Sequence, residues 1–294
     1  MRFAVCFGAL LGLMLLSSCA GNERVPGGSG FIEATEIVVS SQASGQLVSQ
    51  TFDEGEAVAR GDTIAQIDTV TVMLKLRQAA AARQAAEAKA ESASLSIEQA
   101  SFNLGLAGKE FDRMKALIKS GSVNQQQYDQ VQNGYEQAVL ARKQTDAALN
   151  AARAELSRID SETALLKKQL TDCFPTSPSS GVITTKFVEV GELVGVGKGL
   201  VKVSKLDTVW VKVYLPPADL TKISLGGRAL IDPEDGHTQP LEGVVSWISE
   251  EAEFTPKNVQ TKEARADLVY AVKITIPNPN LVLKIGMPVS VRIP

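Results

Sequence analysis

Two periodicities divide the chain. From residue 72 a step of four, then three, falls on Val72, Leu76, Ala79, Arg83, Ala86, Ala90, Ala93, Ile97, Ala100, Leu104, Ala107, Phe111, Met114 and Ile118, with Arg83 the one polar member. The same step from residue 128 falls on Tyr128, Val131, Tyr135, Ala138, Arg142, Thr145, Leu149, Ala152, Leu156, Ile159, Thr163, Leu166 and Leu170. A sustained 3.5-residue repeat predicts a left-handed coiled-coil seam, and its many alanines allow close approach. No proline occurs between Pro26 and Pro175. The one break is KSGSVN, residues 119–124, where Gly121 can end the first helix and Asn124 can cap the second. The pattern predicts an antiparallel hairpin over residues 69–172, each arm about 70 Å long. A heptad repeat specifies a partner helix and nothing more, so periodicity leaves a plain structural or dimerising coiled coil open. Arg83 and Arg142 either snorkel past their alanine neighbours or contact a neighbouring protomer.

On either side of the hairpin the period changes to two. Residues 45–67, GQLVSQTFDEGEAVARGDTIAQI, and residues 181–203, GVITTKFVEVGELVGVGKGLVKV, match at a constant offset of 136. Gly45, Gly55, Val58, Gly61, Ile64 and Ile67 correspond to Gly181, Gly191, Val194, Gly197, Leu200 and Val203, and Glu56 to Glu192. Both copies read as short strands with turn glycines. Residues 41–68 and 173–204 are therefore expected to form two halves of one small β-sandwich, split by the hairpin. VWVKVYLP, RALID, LEGVVSWIS, LVYAVKITIP and PVSVRIP predict an all-β segment over 205–294, and residues 31–40 read as a further strand. The expected class is α+β, elongated and multidomain.

The first residues carry different signals. Arg2 precedes the apolar run 4–16, which ends in Leu16-Ser17-Ser18-Cys19. Residues 1–18 read as a lipoprotein signal peptide, Cys19 as the acylated residue, and 19–30 as a flexible tether. Cys173 is then left without a partner for an internal disulfide and reads as a small buried residue. With 30 basic and 33 acidic residues, net charge −3, composition gives no reason to expect nucleic acid. The single histidine, His237, lies in a Pro- and Gly-bearing acidic turn, read as solvated rather than metal-binding. There is no Ser-His-Asp set and no phosphate loop, so the expectation is a non-enzyme without cofactor or metal.

The spacing around Gly55 and Gly191 resembles half of a lipoyl/biotinyl-type domain, although Asp68-Thr69-Val70 supplies no modifiable lysine where a carrier would have one. Lipid anchor, split lipoyl-like domain and long hairpin together resemble the HlyD-type periplasmic adaptors, or membrane fusion proteins. EFTPKNVQT (253–261) and RADLVYAVKI (265–274) resemble the YbhG-like branch. That resemblance implies a β-barrel over 205–294 joined by residues 31–40, a hexameric funnel of stacked lipoyl-like domains, an inner-membrane ABC-type exporter at the barrel and a trimeric outer-membrane channel at the hairpin tip. The absence of room for a membrane-proximal domain after Pro294 leans the same way. The family's tip pattern of Arg, Leu and Ser implies partner-binding roles for Arg113, Met114, Leu117, Gly121, Asn124 and Asp129, with Met114 replacing a Leu and Asn124 a Ser. The implied location is the periplasm, anchored by Cys19 and favouring the inner membrane, although Ala20-Gly21 stand where some enterobacterial adaptors carry Asp as an inner-membrane retention signal, which leaves the leaflet open. Two other readings stay open: an envelope scaffold lipoprotein with a passive coiled coil, and a carrier subunit of an acyl- or carboxyl-transfer enzyme, disfavoured by the missing lysine.

Overall fold

A computed structural model describes residues 25–236, 239–254 and 268–294. The expected signal peptide at 1–18, Cys19, His237 and most of the 253–267 stretch lie outside the described residues.

Helices α1 (Val70–Lys119) and α2 (Gln125–Asp172) form the hairpin. At 50 and 48 residues, and about 1.5 Å per residue, each extends over roughly 70 Å. Every seam position read from the sequence is buried or half-buried except Arg142, which is exposed. Arg83 stays half-buried because it has partners in its own chain: its Nε donates to Asp160 Oδ1 across the seam at 2.6 Å, and Nη1 lies 2.5 Å from Glu87 Oε1. Those carboxylates raise its already high pKa, the hydrogen bond to Asp160 most of all.

The hairpin interrupts a small β domain made of strands β2 (Gly45–Gln50), β3 (Ala57–Val58), β4 (Ala65–Ile67), β5 (Gly181–Lys186), β6 (Leu193–Val194) and the first part of β7 (Gly199–Leu215). The halves are interleaved. β2 of the first half pairs with β6 of the second, and β3 with β5. Their shared core contains Leu47, Val58, Ile64, Ile67, Ile183, Val194, Leu200 and Val203, with Cys173 closing it beneath the hairpin.

β7 then continues into a closed six-stranded barrel in the order β11 (Leu268–Pro277), β9 (Leu241–Ile248), β8 (Arg228–Asp232), β12 (Pro288–Arg292), β1 (Gly27–Ser40) and β7, which pairs back with β11. The short strand β10 (Glu253–Phe254) extends from β11, and the single turn α3 (Pro217–Leu220) follows β7. Alternate residues of β7 (Val209, Val211, Val213, Leu215) and β11 (Val272, Ile274, Ile276) fill the barrel with Ile32 and Ile231. β1 begins four residues before the strand expected at 31–40, so Gly27–Gly30 are strand rather than tether. Glycine is needed there by close approach: a Cβ on Gly30 would stand 2.5 Å from Lys212 O.

β1 and β7 pair along both domains and form the joint between them, with a register shift between Ala34 and Thr35. Asn278, buried, clamps that joint: its Nδ2 donates to Leu206 O at 2.8 Å and Leu283 O at 3.0 Å, and its Oδ1 accepts from Leu283 N at 3.0 Å.

Candidate functional site

The hairpin tip is built by two complementary caps. Past Lys119 the chain reverses through Gly121, whose φ of +72° is costly for any residue with a Cβ. Gly121 N donates to Ile118 O and Ser122 N to Leu117 O, both at 3.1 Å, closing the carbonyls at the end of α1 in a Schellman arrangement. Ser120 Oγ lies 2.9 Å from Ser122 Oγ and 2.9 Å from Leu117 O. Two residues later Asn124 Oδ1 accepts from Gln127 N at 2.9 Å, and Gln127 Oε1 accepts from Asn124 N at 3.3 Å. This reciprocal capping box satisfies the free amides that start α2. Gln127 was not singled out from the sequence, although Asn-x-x-Gln ahead of a periodic run is a readable capping signal.

Behind the turn, Phe111 stacks on Tyr135 with centroids 5.2 Å apart and sits tilted against Tyr128 at 5.8 Å. These aromatic seam residues stiffen the distal hairpin. Met114 lies in the same seam and, with Ala107, Val123, Val131 and Tyr135, lines an open groove between the helices.

The candidate residues therefore divide into two groups. Arg113 and Leu117, four apart on α1, and Asp129 on α2 are exposed. Gln125 Nε2 donates to Asp129 Oδ1 at 2.7 Å, fixing that carboxylate within the first turn of α2. Gly121 and Asn124 shape the turn, and Met114 packs. Nothing in this arrangement is suited to bond chemistry, and among the described residues no group of three or more His, Cys, Asp or Glu could hold a metal. What the tip offers is a preorganised convex end with a cation, an aliphatic side chain and a carboxylate. Among the described residues no helix is long and apolar enough to cross a membrane.

The sequence profile described as the barrel-sandwich hybrid domain of RND membrane fusion proteins matches residues 35–204, the interleaved β domain with its hairpin. The chain belongs to the membrane fusion protein family. These HlyD-type proteins act as periplasmic adaptors in efflux systems, a family of couplers rather than enzymes. A UPF0194 membrane protein of Acidithiobacillus ferridurans is 28% identical over 294 residues, covering 90% of this chain and 86% of its own. The UPF0194 membrane protein YbhG of Salmonella arizonae is 26% identical over 294 residues, covering 90% and 87%. Among solved structures, MacA from Actinobacillus actinomycetemcomitans superposes with a TM-score of 0.66 at 19% identity over 92% of this adaptor and 81% of MacA, a likeness of fold. The profile's description names RND systems, whereas the sequence leaned to an ABC partner. The matched region stops at Ser204, before the barrel portion of β7, so it speaks for the family and not for the exporter.

Proposed function

We propose that this adaptor is a lipid-anchored periplasmic conduit that links an inner-membrane ABC-type exporter, met by the barrel, to a trimeric outer-membrane channel, met by the hairpin tip. Cys19 carries the acyl anchor, and a hexamer encloses the path. A single acyl chain holds weakly, so multiple acylation and avidity within the oligomer strengthen the attachment. The observation that carries this reading is the tip: two caps hold Arg113, Leu117 and Asp129 exposed at the end of an arm about 70 Å long, far beyond what a packing element of a small domain requires. The ABC assignment rests on the resemblance to the YbhG-like branch. The protein performs no catalysis, and ATP is hydrolysed in the exporter.

The test is a pull-down from cross-linked cell envelopes, wild type beside Arg113→Asp. An ABC permease and an outer-membrane channel are expected with wild type, and only the channel is expected to disappear in the variant. Recovery of neither partner with wild type would reject the conduit in favour of a scaffold. An RND pump in place of the permease would correct the exporter class.

A further inference from the structure

One row of outward side chains crosses four neighbouring elements of the barrel. Lys212 on β7 pairs with Lys273 on β11, and Lys273 pairs in turn with Trp247 on β9. Trp210 pairs with Thr275, one outward position along, and its ring centre lies 4.3 Å from the Lys273 ammonium. The intervening residues Val211, Val213, Val272 and Ile274 are buried, so these side chains stand on the outside of the barrel. At the β9 end the row runs into the turn before β8. Gly226 N donates there to Val245 O at 2.8 Å, two residues from Trp247, and Leu225 stands at the tip of that turn. At the β7 end Ile32 of β1 pairs with Val211, and Phe31 precedes Ile32 on the outward face. Leu225 is 69% exposed, Phe31 63% and Trp247 43%.

Folding gives no reason for this row. Like charges directly opposite on paired strands repel, and among the described residues neither Lys212 nor Lys273 meets a carboxylate. The carboxylates of this region are Glu33, opposite Trp210, and Glu250 and Glu251, past the end of β9. The row itself carries two cations and no anion. Aromatic and aliphatic side chains set among lysines suit the boundary between lipid headgroups and acyl chains. Rings and Leu enter that boundary while the ammonium groups reach for phosphate. The chain's entry into the barrel fixes which surface is within reach. Six peptide bonds separate Cys19 from Val25, a span of at most about 20 Å, and β1, which carries Phe31, begins two residues later. An acyl group on Cys19 therefore keeps this part of the barrel close to the bilayer.

We infer that the row from Leu225 through Trp247, Lys273 and Lys212 to Phe31 seats the barrel on an anionic phospholipid surface. The two lysines contact headgroup phosphates, and Leu225, Trp247 and Phe31 enter the interface. Trp210 acts by positioning, since its ring holds the Lys273 ammonium in place. The inference rests on the lipid-anchored reading and adds a second attachment, made by the fold rather than by the acyl chain. An acyl chain on a tether leaves the barrel free to turn. A seated face fixes which side of the barrel meets the membrane.

The test uses the full acylated chain and vesicles of phosphatidylcholine, with and without phosphatidylglycerol, brominated high in the acyl chains. Flotation reports the anchor, and quenching of tryptophan fluorescence reports the face. The chain has two tryptophans, so Trp210→Phe leaves Trp247 as the reporter and keeps a ring beside Lys273. Trp247 is expected to be quenched, more strongly with phosphatidylglycerol present and less at high salt. Lys212→Gln and Lys273→Gln are each expected to weaken the seated state about fivefold, the effect of one cation near an anionic surface. Leu225→Glu, at an open turn, is expected to weaken it with the fold unchanged by circular dichroism. Flotation without quenching would overturn the inference and leave the anchor standing. Failure to float on either vesicle would overturn both. Quenching indifferent to phosphatidylglycerol and to the lysines would overturn the part given to charge, and with it the inference. An unquenched Trp247, together with loss of the permease from the pull-down in Lys212→Gln/Lys273→Gln, would assign the row to the exporter instead.

Discussion

Gly55 donates its amide hydrogen to the carbonyl oxygen of Ile183 at 2.8 Å, and 136 residues on, Gly191 donates to Leu47 at the same 2.8 Å. Ile183 N and Leu47 N return bonds to Glu56 O and Glu192 O at 3.0 and 2.8 Å. Each half's first strand is therefore completed by the other half's turn, and neither half satisfies its backbone alone. Both glycines have positive φ, +89° and +97°, with open space where a Cβ would stand. A substitution there is opposed by backbone conformation and nothing else. Gly191→Ala is expected to lower unfolding stability by about 1–2 kcal/mol with the fold unchanged, read from urea denaturation.

The turn at the tip allows capping to be separated from recognition. Asn124→Ala removes the side-chain oxygen that accepts from Gln127 N, leaving only the arm from Asn124 N to Gln127 Oε1, and is expected to cost about 1 kcal/mol, fraying the start of α2. Asn124→Ser keeps a capping oxygen, so thermal stability stays close to wild type. Channel co-purification is expected to survive in Asn124→Ser and to weaken in Asn124→Ala, which would assign the residue to shaping the tip. Loss in both variants would assign it to contact.

The hairpin was legible because a 3.5-residue repeat has one structural solution, and the split domain because turn glycines recur at a fixed offset. What stayed hidden depends on pairing across the fold. Asp160 adjoins the seam residue Ile159, but its bond to Arg83 appears only once the two helices are set in register. Gly27–Gly30 reads as linker because glycine serves a tether and a tightly packed strand alike; the approach of Lys212 O selects the strand. Arg142 keeps seam spacing yet is exposed, since spacing fixes where a Cβ points and not where a long charged side chain ends.

The clamp at the joint between barrel and hybrid domain gives the largest expected destabilisation. Asn278→Leu would leave Leu206 O, Leu283 O and Leu283 N without that partner inside a buried joint. Stranded polar groups cost about 1–3 kcal/mol each, so a loss of about 3 kcal/mol or more is expected. Calorimetry should show the barrel transition moving to lower temperature.

Cys173 supplies a pH dependence. Burial first, then the charges of Asp172 and Asp68, push its thiol above the ordinary value. The folded state therefore holds the proton more tightly than the unfolded chain. This stability is complete below the unfolded thiol's pKa, roughly 8.5, and is lost as pH rises through the folded value. Wild type is expected to lose stability in alkaline buffer more steeply than Cys173→Ala, which starts lower by the packing it gives up. Alkylation of the native protein at neutral pH should be slow and should become fast on unfolding.

Of the three glycines within the helices, Gly105 and Gly108 on α1 and Gly134 on α2, Gly105 and Gly134 have no neighbouring atom within 4 Å of where a Cβ would stand. Alanine fits both positions and raises helix propensity, so each substitution is expected to stabilise the hairpin by up to about 1 kcal/mol. Retaining glycine where alanine would be the better helix former leaves the distal arm more compliant than its seam requires. If docking uses that compliance, the double variant Gly105→Ala/Gly134→Ala melts at a higher temperature but recovers less channel in the pull-down. Equal recovery would show that the arm engages as a rigid rod, with the capped turn alone setting the geometry of contact.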